Sequence, residues 1–500
     1  MFTTGTGLLS RPLLFAAFVA ATALAGCTVG PDYRGAPTVA GNATQAASFV
    51  RAPATGIAPT PAPAAWWRTL GDPQLDALID AALANNPDLH AAQARLRESR
   101  AQLQQQQASS RPTLGAAVAA PRLREPDGSI LNNSQSADNN AATTQQPAAP
   151  TSKGRGPLQL YTAGFDASWE IDLFGGTRRA VESASADAEA VDADLADTQV
   201  SLAAEVAQAY IDLRDQQQRL LLAQQSAGFE QQMLELTRQR RARGVGADAD
   251  VERLSTQVET TRASLIPLDE QITESLDQLA VLTGQAPGAL DRQLSASAPL
   301  PDMPATVAVG DPATLLRQRP DIRAAERRLA SSNAQIGERT ADLFPKLSLL
   351  GFIGSTAADP GHLSRKSALT WAAVPYLQWN ALDFGRTRSK IREAEASRDE
   401  ALDHYTHSVL AALQDANNAL SRYGHQRDSV ARLREIAASA DRSAELMRQR
   451  YRAGASSLID LLDTQRTQST AQQNLAAGQA DLLKDFVSLQ KSLGLGWRAS

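Results

Sequence analysis

Asn86-Pro87-Asp88-Leu89-His90-Ala91-Ala92 returns later in the chain as Arg319-Pro320-Asp321-Ile322-Arg323-Ala324-Ala325. Pro87 and Pro320 stand 233 residues apart, and Pro112 and Pro345 repeat that displacement. Further on, Leu173-Phe174-Gly175-Gly176-Thr177-Arg178 answers Asp383-Phe384-Gly385-Arg386-Thr387-Arg388 at a displacement of 210 residues. The shorter displacement also relates Arg238-Gln239-Arg240 to Arg448-Gln449-Arg450, Asp250 to Asp460 and Gly284 to Gly494. Solenoid repeats run at roughly 20–50 residues, so this period describes a half-molecule written twice. The displacement changes once, between Pro112 and Phe174, where a segment 125–156 rich in Asn, Gln, Ala, Pro and Ser supplies the surplus. Such a composition cannot bury a core and reads as a long exposed loop.

Each copy runs in the same order. A helical pattern opens at an Asp-Pro cap, from Asp72 to about Ser110 and from Asp311 to about Leu343. A strand-like stretch closed by Phe-Gly follows, then a very long helix, a small-residue turn and another helix ending at Gly284 or Gly494. The copies therefore span 66–284 and 311–500, with a linker at 285–310.

The strand-like stretches alternate. Tyr161, Ala163, Phe165, Ala167, Trp169 and Ile171 are apolar, while Thr162, Asp166, Ser168 and Glu170 between them are polar. Leu369, Trp371, Leu377 and Trp379 continue the pattern in the second copy, with Gln378 and Asn380 opposite. Period two over this length, with aromatics near the ends, suits a barrel strand between lipid and water, as well as an amphipathic strand of a soluble sandwich. Two strands per copy cannot close a barrel, for which about eight is the practical minimum, so several chains would have to contribute.

Between Arg178 and Arg243 there is no Pro, and Gly228 is the one Gly before the turn. At 1.5 Å per residue such a helix reaches about 100 Å. Val206, Leu213, Leu220, Ala227 and Leu234 recur every seven residues, and Val430, Leu433, Ala437, Ala440, Ala444 and Met447 alternate in threes and fours. That spacing is a coiled-coil seam, and the many small residues allow close lateral packing. A plain coiled-coil rod would carry the same pattern.

At the N-terminus, Arg11 precedes an apolar run from Leu13 to Gly26 that is too short for a spanning helix and reads as a signal peptide over 1–26. The run ends in Leu24-Ala25-Gly26-Cys27, which resembles the lipobox of bacterial lipoproteins, where the Cys thiol receives a diacylglycerol and the new amino group is acylated. Cys27 is the one Cys of the chain, so no internal disulfide contributes to stability. Thr28 stands where an Asp would signal inner-membrane retention. The Pro-, Ala-, Thr- and Gly-rich stretch that follows makes 27–65 a lipid-anchored, extended tether. Net charge is −5, with no basic excess to indicate nucleic acid.

Several strings, in order within the duplicated frame, resemble the TolC/OprM family of outer-membrane efflux proteins. They are Ala65-Trp66-Trp67-Arg68 with Asp72-Pro73-Gln74-Leu75, Asn85-Asn86-Pro87-Asp88-Leu89, Leu282-Thr283-Gly284-Gln285, Arg319-Pro320-Asp321-Ile322, Asp383-Phe384-Gly385-Arg386 and Leu493-Gly494-Leu495-Gly496-Trp497. The lipobox is similar to that of the family's lipoprotein, NodT-like branch, which serves RND-type pumps. The resemblance implies a mainly α chain with a membrane β-barrel. In a homotrimer, four strands per chain would make a twelve-stranded barrel, and the long coiled-coil helices an α-barrel across the periplasm. It implies a passive, non-enzymatic exit duct in outer-membrane lipid, with no cofactor beyond the lipid on Cys27. A periplasmic membrane-fusion adaptor and an inner-membrane RND-type transporter would be its partners.

The turns Gly244-Val245-Gly246 and Ala453-Gly454-Ala455 would be the periplasmic tips that meet the adaptor. Beyond them lie Asp250 in the first copy and Asp460 and Asp463 in the second, the last two on one helical face. In a trimer they would make carboxylate rings that constrict the pore and attract cations. The family places its gate there, which carries over to Asp250, Asp460 and Asp463, and to Tyr451 as a residue that holds the closed state. Some members carry an Arg two residues after the tip Gly that ties the gate shut; here that position is Ser456, so a closed state would rest on other contacts, with Arg450 and Arg452 as candidates.

Other chemistry is weakly represented. His404 and His407 lie at metal-compatible spacing without a recognised carboxylate partner, Gly244-x-Gly246 follows a helix rather than a strand, and no G-x-S-x-G occurs. A lipid-anchored periplasmic adaptor or structural lipoprotein is the alternative class, although an adaptor needs one hairpin with lipoyl-like flanks rather than two copies with barrel strands. A lipoprotein enzyme lacks any catalytic constellation.

Overall fold

The structure is a computed structural model describing residues 28–123 and 158–497. Cys27 and the expected loop 125–156 lie outside the described residues. In chain order the helices are α1 Gly41–Thr44, α2 Pro73–Asn85, α3 Pro87–Ser109, α4 Gly176–Ala242, α5 Asp248–Ala263, α6 Leu265–Leu282, α7 Asp291–Leu294, α8 Pro312–Gln318, α9 Pro320–Ala341, α10 Arg386–Arg452 and α11 Leu458–Ser492. The strands are β1 Ile57–Ala58, β2 Thr113–Ala119, β3 Arg122–Leu123, β4 Leu158–Gln159, β5 Tyr161–Ile171, β6 Val307–Ala308, β7 Lys346–Ala357 and β8 Leu369–Gln378.

The long helices of the two copies match to the residue. Helices α4 and α10 are each 67 residues long and begin 210 residues apart. Asp72 caps α2 through hydrogen bonds from Gln74 N and Leu75 N, and Asp311 caps α8 from Thr314 N. Each early helical pattern is two helices rather than one, because Pro87 and Pro320 push the preceding residue into extended backbone. Those preceding residues then do equivalent work: Asn86 Nδ2 donates to the Leu282 carbonyl, and Arg319 Nη1 donates to the Ser492 carbonyl. The single helix expected after the first turn is also two. It breaks at Ser264 because Pro267 has no N–H for the Ala263 carbonyl and its ring crowds that oxygen, whereas α11 is continuous.

The chain divides into two compact units. The first comprises 28–33, 102–184 and 332–396, and holds a four-stranded antiparallel sheet of order β2-β5-β7-β8. Leu114 faces Ala167 in the first hairpin, and the equivalent pair, Leu347 with Leu377, faces in the second. Trp169 Nε1 donates to the Ser110 carbonyl and Trp379 Nε1 to the Leu343 carbonyl, both at 3.0 Å, again equivalent by the two displacements.

The register sorts the sheet into two faces. One carries Leu114, Val118, Phe165, Trp169, Leu349, Ile353, Leu369, Trp371 and Leu377. Many are largely exposed, Val118 at 85 % and Trp371 at 74 %. The other face carries Thr113, Thr162, Asp166, Ser168, Glu170, Ser348, Thr356, Thr370 and Gln378, with Leu350, Phe352 and Val374 among them. Gly164 and Gly354 are paired on this second face; a Cβ on either would lie 2.6 Å from the other's Cα and about as close to the Phe352 ring. The ring lies across the space their missing side chains leave.

The second unit comprises 34–101, 185–331 and 397–497. Its core draws on both copies: Trp66, Leu75, Ile79, Tyr210 and Leu213 from the first, Val409, Leu420, Tyr423, Phe486 and Val487 from the second. Trp66 meets Trp67 and Phe486 edge-to-face, with centroids 5.8 Å apart in both pairs. Along the seam Val206, Leu213, Leu234, Val430, Ala437, Ala440 and Ala444 are buried.

A buried cation organises this core. Arg214 is 1 % exposed and donates to Gln217 Oε1 at 2.7 Å, the Ala296 carbonyl at 3.0 Å and Gln74 Oε1 at 2.5 Å. Its guanidinium lies 4.9 Å from the Tyr210 ring centroid, and the Tyr210 hydroxyl donates to Asp72 Oδ2 at 2.7 Å. Burial, then that bond to Asp72, pushes the phenol up to about 12, so Tyr210 stays a neutral donor. The stretch read as a tether is extended here, yet fastened to this unit. Phe49 is buried, β1 pairs in parallel with β6, and Arg427 Nη2 donates to Thr55 Oγ1.

Candidate functional site

The tips are shaped by glycine. Gly244 and Gly454 have φ of 76° and 74°, a conformation that costs other residues a Cβ clash. At each, the following amide reaches back five residues, Val245 N to the Arg240 carbonyl and Ala455 N to the Arg450 carbonyl. Gly244 N and Gly454 N bond the carbonyls of Arg241 and Tyr451, completing a Schellman termination in both copies. Gly246, Ala453 and Ala455 finish the reversals; Val245 stays 66 % exposed, an apolar knob at the first tip. Beneath them Met233, Leu234, Leu254, Val258, Leu458 and Leu461 form a small core against which Tyr451 packs.

The acidic residues sit as follows. Asp460 closes a capping box: its carboxylate accepts from Ser457 N at 3.2 Å and Ser457 Oγ at 2.7 Å, while Ser457 Oγ accepts from Asp460 N. The Ser457 hydroxyl, its amide and, more weakly, Arg450 hold the Asp460 carboxyl below the usual carboxylate range. Asp463 is exposed and pairs with Arg466 at 3.2 Å. Asp250 lies in the first turn of α5, where its charge suits the helix N-terminus. The Ser456 hydroxyl oxygen is buried without a hydrogen-bond partner.

Tyr451 is held from the first copy, not by its own neighbours. Arg240 Nη1 donates to the Tyr451 hydroxyl at 3.0 Å, and its guanidinium lies 5.8 Å from the ring centroid. Arg450 donates to the Ala455 carbonyl at 3.4 Å, and Arg452 is exposed. The duplication held a signal for this: the first-copy equivalent of Tyr451 is Arg241, which pairs with Asp248 at 2.5 Å, so the copies differ here by design of charge.

A second cluster lies where the described chain starts, within the first unit. Arg179, buried at the head of α4, donates to the carbonyls of Val29 and Gly30 and to Asp32 Oδ1 at 2.6 Å, and pairs with Glu182. Val29 N bonds the Phe174 carbonyl and Asn333 Nδ2 the Pro31 carbonyl. Gly30 rests on Gly337 so closely that a Cβ there would stand 2.3 Å from the Gly337 Cα. The residues that follow Cys27 are thus clasped; sequence reading missed this clasp because its members come from three distant stretches.

Among the described residues no group of three His, Cys, Asp or Glu is arranged to hold a metal, and no helix is long and apolar enough to cross a membrane. His404 faces Glu400 at 3.6 Å on an exposed helix surface.

A duplicated, mainly helical chain with an amphipathic antiparallel sheet and paired helical tips is the build of an outer-membrane efflux duct. The family model described as "Outer membrane efflux protein" matches residues 78–285 and 312–495, and the chain belongs to that family. It is 30% identical over 484 residues to the antibiotic efflux pump outer membrane protein ArpC of Pseudomonas putida, covering 96% of this chain and 94% of that one. It is 31% identical over 446 residues to the pyoverdine export outer membrane protein OpmQ of Pseudomonas aeruginosa, covering 87% and 88%. Among solved structures, the outer-membrane channel OprN superposes with a TM-score of 0.79 at 36% identity, covering 94% of this chain and all of that one.

Proposed function

We propose that this protein, the outer-membrane component of an efflux pump, works as a trimeric passive duct gated at its helical tips. The observation that carries the trimer is the sheet. Its four strands have one exposed apolar face, which belongs against hydrocarbon, and two edges unpaired among the described residues, which hydrocarbon does not tolerate unless they close into a barrel. Lipid then meets the face with Trp371 and Phe165, and water meets the face with Asp166 and Glu170. The long helices α4 and α10 extend the conduit through the periplasm, and the tips around Gly244–Gly246 and Ala453–Ala455 receive the adaptor. An RND-type transporter supplies the energy. The relatives' names span antibiotics, toluene and pyoverdine, which supports a duct that leaves cargo choice to its partners.

Asp250, Asp460 and Asp463 are the acidic groups of the gate, and Tyr451 with Arg240 its latch. In planar bilayers the purified protein should conduct, with cations preferred. Replacing both Asp460 and Asp463 by Ala should reduce that preference and, by removing the capping box, loosen the start of α11. Absence of conductance in both proteins would exclude the channel.

Cys27 is the anchor, its acyl chains holding the chain to the outer membrane's inner leaflet at about 0.8 kcal/mol per buried CH₂. Cys27→Ser should abolish palmitate labelling; labelling that persists places the lipid elsewhere.

A further inference from the structure

The cations at the heads of the two long helices are treated differently in the two copies. In α4, Arg178 pairs with Asp172, and Arg179 with Asp32 and Glu182. In the second copy Leu382 takes the place of Asp172, and Arg392 that of Glu182. Charge is added as well: Arg386 and Lys390 stand where the first copy has Gly176 and Ala180. Among the described residues, no carboxylate lies within ion-pair distance of Arg386, Arg388, Lys390 or Arg392.

Such a head is electrostatically unfavourable by itself. The first turn of α10 has no acidic residue, and a helix N-terminus repels cations. Arg386 and Lys390, four residues apart on one face, also repel each other. Local rules broken without compensation inside the chain are a mark of functional places.

The cations are gathered around a cavity. Arg386 and Lys390 line a space of about 380 Å³ together with Lys346, Gln378 and Asn380. Lys346 and Gln378 oppose each other in the β7–β8 register, on the face that carries Asp166 and Glu170, so the cavity opens on the water-facing side of the sheet. Lys346 replaces the first-copy Thr113, and Asn380 replaces Glu170. Four lining positions have therefore moved toward positive charge. The two acids of the cavity are already engaged. Asp342 pairs with Lys346 at 3.0 Å, and Asp383 accepts from Gly385 N, Thr387 N and Thr387 Oγ1 at the head of α10.

We propose that Arg386 and Lys390, with the Gln378 and Asn380 amides beside them, bind the anionic oxygens of a solute in the conduit, a carboxylate or a phosphate. This rests on the trimeric duct reading, in which the site recurs three times around one conduit, at the other end of α10 from Tyr451. The guanidinium and the ammonium supply donors of the kind carboxylates and phosphates take. Exposed contacts are weak enough for a solute to leave as readily as it enters, which conduction requires. A neighbouring copy would not neutralise the site. Within the chain, Glu338 and Asp342 around the end of α9 share a cavity with Gly176 and Ala180 at the head of α4. Their counterparts in α3 are Gln105 and Ser109, which carry no charge. A lipid headgroup has the same chemistry, but the water-facing position of Lys346 and Gln378 favours a soluble anion.

Single-channel recordings in potassium chloride, with citrate added on the side of the strand loops, test the site. Citrate should lower the current of the parent protein, and Arg386→Gln with Lys390→Gln should raise the half-blocking concentration about tenfold, as for two exposed charge pairs. Raising the salt should weaken the block by screening. Lys366→Gln, which removes a cation beyond β7, should leave the half-blocking concentration unchanged. No change in the double variant, or an equal change in Lys366→Gln, overturns the site. So does a current that citrate never reduces, which leaves the duct standing; no current from either protein overturns both. If citrate has no effect while the parent retains phosphatidylglycerol in detergent and the double variant does not, the cations serve lipid and the inference falls. Both positions are exposed, and the double variant should unfold at the same or a higher temperature, since repulsion at the helix head is relieved. A lower unfolding temperature would mean that the cations hold the fold instead.

Discussion

Arg214→Ala should lower the unfolding free energy of the protein by about 3–5 kcal/mol, roughly the sum for the buried acceptors it leaves unpaired. The loss comes less from the contacts themselves than from what is left behind. Gln74, Gln217 and the Ala296 carbonyl each lose their buried donor, and an unsatisfied buried acceptor costs about 1–3 kcal/mol. The same change removes the cation over the Tyr210 ring and so loosens the Tyr210 bond to Asp72, which caps α2. Arg214→Lys keeps the charge but not the fork that serves three acceptors, and should recover only part of the loss. Thermal or guanidinium unfolding of the solubilised protein, followed through Trp66 and Trp67, measures both. A loss under about 1 kcal/mol for the Ala variant would mean that the core repacks without its cation.

Arg240→Ala should shift the duct toward its open state, with a conductance severalfold above that of the parent protein. One exposed cation–π contact and one hydrogen bond to a neutral phenol amount to about 1.5–2 kcal/mol per chain. In the proposed trimer, with three chains gating together, this is about 5 kcal/mol, close to what moves a two-state equilibrium from mostly closed to mostly open. Tyr451→Phe removes the hydroxyl but keeps the ring, so its effect should be roughly half. Single-channel recordings at fixed salt check the order Arg240→Ala, Tyr451→Phe, parent. Equal conductance for all three would mean that Tyr451 is held for packing and not for closure.

How much of this was legible in advance depends on the range of the interaction. The alternation Tyr161–Ile171 corresponds to β5 residue for residue, because side-chain direction in a strand follows from the backbone alone. The caps at Asp72 and Asp311 were visible because a helix N-terminus is satisfied by a residue two or three positions away. Pro267 and its break in the first copy are also in plain view, although the second copy has Ala477 at the equivalent position. At the proposed gate Tyr451 is visible in the sequence, but the Arg240 that donates to its hydroxyl is not. Arg450 and Arg452 are neighbours in sequence, yet at the end of α10 one of them is taken up by the Ala455 carbonyl. The clasp around Arg179 had no sequence signal at all beyond two small residues, Gly30 and Gly337, at unrelated positions.

The amino-acid sequence by itself determined the long helices, the strands, their order and the duplication, since each rests on a periodicity or a spacing along the chain, and its motif strings carried the resemblance to the family. Only the tertiary structure decided which side chains meet: Arg240 with Tyr451, 211 residues apart, and Arg214 with Gln74, 140 apart. Those pairings depend on how α4, α10 and the capped helices pack, and packing is a property of surfaces brought together by the whole chain rather than of any segment in it.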